Sequence, residues 1–358
     1  MFILTVFCSD SLFGPLSQSA VHNGPTELAV RPKGGPLVSS RRDFLTLCTA
    51  ATLTSAVPNA PVAHGTEPAA APPRPAPAAG PRRRVPIGVS TYSFWRFQHN
   101  DWRPIPRCLE AASDMGFDGV EILQRQLVDT SPAALNDIKR RAQVLGLPLM
   151  GFSTHQGFVS PDAEKRKQNL DATVACLEQA YQLGIPTMRV NSGTWGTRKS
   201  FDDLMAHRGL EDPLPGHTDE EGFGWVIDAY RQLAVEAGRR GVVMGLENHW
   251  GLGRTPEGLK RIVEAVDSPW LRVTLDTGNF LEEPYPKLAS LAPLCVLLQA
   301  KTYFGGGQWY ELDLDYGRIA DLFRQAGYRG WVSLEFEGKA PIVEGIQKSL
   351  DLLRTHFG

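Results

Sequence analysis

Residues 242–280 read VVMGLENHWGLGRTPEGLKRIVEAVDSPWLRVTLDTGNF, and this stretch decides the fold. It opens on a β-rich run, Val242–Leu246, that breaks at the polar Glu247-Asn248-His249. Leu259, Ile262, Val263 and Val266 then recur at three- and four-residue spacing, the period of a helix with one apolar face. A second β-rich run, Leu271–Leu275, follows and breaks at Asp276-Thr277-Gly278-Asn279. Strand, helix and strand in that order make a parallel unit.

Working outward, the same alternation fills residues 85–358. Further runs lie at Ile87–Ser90, Gly119–Leu123, Pro148–Phe152, Thr187–Val190, Cys295–Leu298 and Trp331–Leu334, which makes eight. Val226, Ile227, Tyr230, Leu233, Ala234 and Ala237 mark another helix between two of them. Gly116, Gly146, Gly184, Gly241 and Gly327 each precede the next run, where a helix should end. Eight such units predict the α/β class and a closed (β/α)8 TIM barrel, one domain of the usual ~250 residues. A doubly wound open sheet would need a glycine-rich phosphate loop after an early strand. Gly305-Gly306-Gly307 comes after the seventh run and lacks that spacing.

The chain has 358 residues, which leaves a long segment ahead of the barrel. Residues 1–63 read as an export leader. Arg41-Arg42 stand before Asp43-Phe44-Leu45 and an uncharged run to Val57, the pattern of a twin-arginine signal. Residues 64–84 are a Pro/Ala-rich spacer that cannot bury a core. The expected address is therefore periplasmic or secreted, with the Tat export machinery as a partner and no stable membrane anchor. No apolar run after residue 85 approaches the ~20 residues of a membrane helix. The formal net charge of -2 argues against nucleic acid as a partner. The cysteines, Cys8, Cys48, Cys108, Cys176 and Cys295, form no CxxC pair, which argues against a disulfide framework or a zinc-thiolate site.

Active sites of such barrels form at the C-terminal ends of the strands, so the residues after each run carry the functional reading. Strand two ends at Glu121, strand three leads to His155, and strand four ends at Arg189 and Asn191. Strand five ends at Glu247, Asn248 and His249, strand six at Asp276, strand seven at Gln299 and Lys301, and strand eight at Glu335 and Glu337. Carboxylates from strands five, six and eight would meet at one mouth and repel one another. A divalent cation removes that conflict, and oxygen-rich coordination favours Mn²⁺ or Mg²⁺, with Zn²⁺ or Co²⁺ as alternatives. An acid cluster pinned by Arg189 and Lys301 is the competing arrangement. Trp95, Trp195, Trp250, Trp309 and Tyr303 fall in strand-end loops, where aromatic faces suit sugar rings or simply cover the barrel. Gly193 to Gly224 is long, polar and rich in Gly and Pro, which points to a lid or a homo-oligomer contact.

These residues resemble the sugar phosphate isomerase/epimerase family with the xylose-isomerase-like barrel. The resemblance covers essentially Ile87 to Phe357 and is most specific at Leu246–Gly251, Leu275–Phe280 and Leu334–Gly338. It implies one divalent metal held by Glu247, Asp276 and Glu335. The family often places a histidine after strand seven as fourth ligand; here Gln299 stands there, in Gln-Ala-Lys-Thr. His155 or His249 could compensate as a ligand, or contact substrate.

The activity implied is isomerisation or epimerisation of a small sugar or keto-sugar through an enediolate stabilised by the metal. Glu247 and Glu335 are the candidate proton-transfer pair, and Lys301 either neutralises the oxyanion or is an ordinary solvated lysine. Arg189 and Asn191 either bind substrate hydroxyls or fix Glu121 and Glu247. His155, His249, Trp250 and Glu337 complete the candidate substrate contacts. A lyase, a dehydratase or a keto-glycoside hydrolase would use the same scaffold. A non-catalytic exported sugar-binding barrel and an abasic-site nuclease are the other readings; the nuclease needs more histidines and a basic face.

Overall fold

The computed structural model describes residues 84–358; the leader to residue 63, its Arg41-Arg42 pair and the spacer up to Arg83 lie outside the described residues. Eight strands close into a parallel barrel in chain order: β1 (Ile87–Ser90), β2 (Gly119–Leu123), β3 (Leu149–Ser153), β4 (Thr187–Val190), β5 (Val243–Glu247), β6 (Leu271–Asp276), β7 (Cys295–Thr302) and β8 (Trp331–Phe336). After β1 come α1 (Tyr92–Trp95) and α2 (Ile105–Met115), and after β2 and β3 come α3 (Pro132–Val144) and α4 (Ala163–Leu183). After β4 come α5 (Phe201–Ala206) and α6 (Asp219–Arg240). Then α7 (Pro256–Val266), α8 (Pro284–Leu291), α9 (Tyr316–Gln325) and α10 (Ile342–Phe357) follow β5 to β8 in turn. The predicted (β/α)8 TIM barrel is the fold found.

Two strands run two or more residues further than their sequence pattern showed. The apolar run on β7 stops at Leu298 and on β8 at Leu334, yet the strands continue to Thr302 and Phe336. The reason is the two-residue period of a strand. Leu271, Val273 and Leu275 on β6 join the hydrophobic core, while the alternate positions include Thr274 and Asp276. On β8, Val332, Leu334 and Phe336 pack in that core, and Ser333 and Glu335 alternate with them. The barrel interior is therefore polar toward its mouth, and a polar residue there does not end a strand. Glu121 on β2 shows the crossing directly: its carboxylate accepts from Ser333 on β8 at 2.5 Å and from Ser153 on β3.

Local signals fix the helices. Gly116, Gly184 and Gly241 end α2, α4 and α6 with positive φ. Thr218 and Glu221 form a reciprocal cap at the start of α6, so that helix begins inside the segment read as a long connection. The helix stripe Val226, Tyr230, Leu233, Ala234 and Ala237 is buried, and the Tyr230 hydroxyl donates to the Asn191 carbonyl at 2.7 Å. Among the described residues, no helix is long and apolar enough to cross a membrane.

Gly251 locks the loop after β5 against the loop after β4. Its φ is 83°, and a Cβ there would collide with the Gly193 carbonyl oxygen. Gly251→Ala should lower the unfolding free energy by about 1–3 kcal/mol. Gly224→Ala, in the exposed first turns of α6 with nothing within reach of a Cβ, should raise it by up to ~1 kcal/mol. Urea denaturation measures both, and a Gly251→Ala variant as stable as the parent would contradict this loop packing.

Candidate functional site

The mouth is built by side chains at interior positions of β4 to β8. Glu247 ends β5 fully buried. Its Oε2 accepts from Arg189 Nη1 at 2.7 Å and from Asn191 Nδ2 at 2.8 Å, and its Oε1 from Asn279 Nδ2 at 3.2 Å. Arg189 and Asn191 thus hold Glu247, one of the two roles their positions allowed. Glu121 takes its bonds from the two serines instead. Burial works against a charged Glu247, but the adjacent Arg189 guanidinium overcomes it and holds the carboxyl below the usual range. Arg189 Nη2 also donates to the Thr154 carbonyl at 3.1 Å and lies 3.1 Å from His155 Nε2.

Strand register sets the other half of the site. Asp276 on β6 is paired with Gln299 on β7, and Lys301 on β7 with Glu335 on β8. Lys301 is buried, so it is not a solvated lysine. Its Nζ donates to Asn279 Oδ1 at 2.6 Å and to the Tyr310 hydroxyl at 3.0 Å. It also lies 3.6 Å from Asp276, 3.8 Å from Glu337 and 4.0 Å from Glu335. Burial alone would neutralise this amine; the carboxylates around it win and keep it charged. Burial pushes the Asp276 carboxyl up to about 7 despite Lys301, and pushes Glu335 well above its ordinary range.

The donor chemistry suits a hard divalent cation. Asp276 and Gln299 are paired in register; Asp276 Oδ2 and Gln299 Oε1 are buried and have no hydrogen-bond partner, Asp276 Oδ2 meeting Lys301 Nζ only at ion-pair distance, 3.6 Å. Glu337 Oε2 is orphaned in the same way. Buried acceptors without donors are costly unless a cation or proton meets them. The fit lies in the donors rather than in a closed cage. Among the described residues, no three His, Cys, Asp or Glu side chains converge on one point. The same holds for the two histidines: His155 Nε2 lies 3.1 Å from Arg189 Nη2, and His249 packs on the Trp250 ring at 5.3 Å. Burial, with Arg189 and Lys301 and against the pull of the Glu247 carboxylate, pushes the His249 imidazole down to about 4.

Of the aromatic candidates, Trp95, Trp250 and Tyr303 are buried, and Trp309 is exposed. Trp195 is not at the acids; its indole donates to Asp219 at 2.8 Å and braces the start of α6. Sequence reasoning missed three groups at the site. Asn279 bridges Glu247 to Lys301, and it stands in a motif already singled out. Tyr92 donates to Glu337 Oε1 at 3.2 Å. Tyr310 bonds Lys301 and Asn279 from a loop eight residues beyond β7, and no local pattern marks it.

A closed parallel barrel with buried acids and a lysine at its C-terminal mouth has the architecture of a barrel enzyme site. The family model described as xylose isomerase-like TIM barrel matches residues 109–356, and the chain belongs to that family. Among curated proteins, it is 29% identical over 181 residues to a 3-dehydroshikimate dehydratase of Pseudomonas aeruginosa, and 25% over 179 residues to that of Pseudomonas putida. Each match takes in 49% of this chain but only 25% of the relative's length. Among solved structures, 3-keto-D-glucoside 4-epimerase from E. coli superposes with a TM-score of 0.61 at 20% identity, over 76% of this chain and 100% of the other. D-psicose 3-epimerase from Clostridium cellulolyticum does so with 0.61 at 18%, over 76% and 99%. At these identities the structural likeness shows the fold alone.

Breaking the Glu247 clamp tests the electrostatics. Arg189→Met leaves a buried carboxylate without its cation and should cost about 3–5 kcal/mol. Adding Glu247→Gln should recover part of that loss, because the stranded charge is gone. Denaturation of the two variants checks the pair; equal stabilities would show that the ion pair is not the source of the cost.

Proposed function

We propose that this chain is a divalent-metal-dependent isomerase or epimerase of a small sugar or keto-sugar. The observation that supports the reading is that Asp276 and Gln299, paired in register on β6 and β7 between the strands that carry Glu247 and Glu335, each bury a side-chain oxygen with no hydrogen-bond partner. Charge balance supports it. Glu121, Glu247, Asp276, Glu335 and Glu337 are buried at the mouth, with Arg189 and Lys301 among them and Arg96 at the rim. Acids in excess of cations leave room for a metal or for protons.

Glu247, Asp276, Gln299 and Glu335 would hold the ion, and when bound it would polarise the substrate carbonyl as a Lewis acid. Glu247, oriented by Arg189 and Asn191, would remove the proton from the carbon beside the carbonyl with an oxygen not engaged by the metal. Glu335 is placed to return one. Lys301 would neutralise the oxygen on which negative charge develops, and Asn279 links it to Glu247. Return of the proton to the opposite face gives an epimer, and return to the neighbouring carbon, with a hydroxyl proton shifting between the two oxygens, gives an isomer. In the same reading, the twin-arginine leader routes the folded protein to the periplasm or beyond.

A second reading draws on the dehydratase relatives. Loss of a β-hydroxyl after the same proton abstraction would make the chain a dehydratase, with an unchanged acid cluster.

Elemental analysis of protein purified without added metal tests the centre. Near-stoichiometric Mn, Mg, Zn or Co is expected in the parent or after incubation with Mn²⁺. Asp276→Asn and Glu335→Gln should lose it while circular dichroism stays native. A parent that takes up no metal would sink the proposal and leave a sugar-binding barrel as the better reading. Incubation of candidate sugars in D₂O then separates the two reactions: deuterium beside the carbonyl of an intact sugar supports epimerisation, and water loss supports the dehydratase.

A further inference from the structure

We propose that Phe201 and Trp309 form an outer subsite over the barrel mouth that takes the second ring of a glycosidically linked substrate. The proposal rests on the sugar-acting reading above and adds the size of the substrate to it.

Phe201 opens α5 in the excursion after β4, and Trp309 lies in the connection after β7. Strands four and seven stand apart around the barrel, yet the two rings meet edge to face with centroids 5.6 Å apart. Both are left in water, Phe201 at 38% and Trp309 at 45% exposure. The Phe201 ring is also 6.4 Å from Trp250, Trp250 is 6.1 Å from Tyr310, and Lys301 Nζ lies 5.6 Å from the Tyr310 ring centroid. A continuous run of aromatic rings therefore leads from solvent to the acid cluster. Trp250 and Tyr310 intervene, so a single ring held at the acids leaves Phe201 and Trp309 uncovered.

The outer pair is held in place. Gly209, with φ 74°, lies so close to Trp250 that a Cβ would come within 2.5 Å of that ring. The Glu211 carboxylate accepts from the Trp195, Gly196 and Thr197 amides at 3.0, 2.9 and 3.2 Å, which fixes the fold of the same excursion. Arg208 bonds Glu282 at 2.9 Å and ties the excursion to the loop after β6. The result is an exposed aromatic pair on a braced excursion, with flat apolar faces that suit a sugar ring. With Leu210 as the other exposed apolar side chain of the excursion, the patch is far smaller than the ~800 Å² per partner of a stable protein interface. It continues inward to the acids instead of spreading over the surface.

Calorimetric titration of the full chain, with and without Mn²⁺, tests this. The probes are D-fructose against lactulose, and D-glucose against cellobiose; each pair adds a second ring. In the parent, at least one disaccharide should bind about tenfold more tightly than its monosaccharide. Phe201→Ala and Trp309→Ala, both at the surface, should each remove most of that advantage and leave monosaccharide affinity unchanged. Equal binding of the single and double rings, or an advantage that survives both substitutions, overturns the outer subsite while the sugar-acting reading stands. Binding of none of these sugars also overturns the outer subsite, while metal uptake decides the sugar-acting reading separately.

Discussion

The structure is organised around the problem of burying several carboxyl groups at one barrel mouth. Water no longer screens them there, and each charge must find a counter-charge or lose itself to a proton. Arg189 answers for Glu247, and Lys301 answers jointly for Asp276, Glu335 and Glu337. Asn279 joins the two groups by donating to Glu247 and accepting from Lys301. The balance is incomplete, since acceptor oxygens of Asp276, Gln299 and Glu337 remain without donors. A barrel selected for stability alone would not keep such a set.

The strands make this burial affordable by separating two environments. Their outward positions pack Val, Leu, Met and Phe against the helices and supply the stability. The inward positions near the mouth are then free to carry polar groups. Loops after β4, β5 and β7 add aromatic side chains above the acids. Such rings exclude water and so strengthen the interactions beneath them. The same rings offer flat apolar faces to a ligand whose hydroxyls point elsewhere.

A barrel of this kind hosts many reactions, and the fold does not choose among them. The relatives illustrate this, for a dehydratase and sugar epimerases both stand among the similar proteins. Both reaction types can begin by drawing a proton from a carbon activated by a neighbouring carbonyl. What differs is whether a proton returns or a hydroxyl leaves. That choice depends on the few groups facing the far side of the substrate rather than on the acids that start the reaction.

The sequence by itself determined the barrel. The two- and 3.6-residue periods, with glycines at helix ends, are local properties, and they located all eight strands to within a few residues. It also marked the strand-end acids, because a polar residue that breaks an apolar run is visible without coordinates. Only the tertiary structure decided how these acids are used. Register, which couples residues far apart in the chain, set Gln299 beside Asp276 and Lys301 beside Glu335. Loop conformation brought Tyr310 to Lys301 and Phe201 to Trp309. Burial turned Lys301 from an ambiguous lysine into the central cation of the mouth. Contacts of this kind form across loops whose paths no local period encodes, and so they become legible only when the barrel has closed.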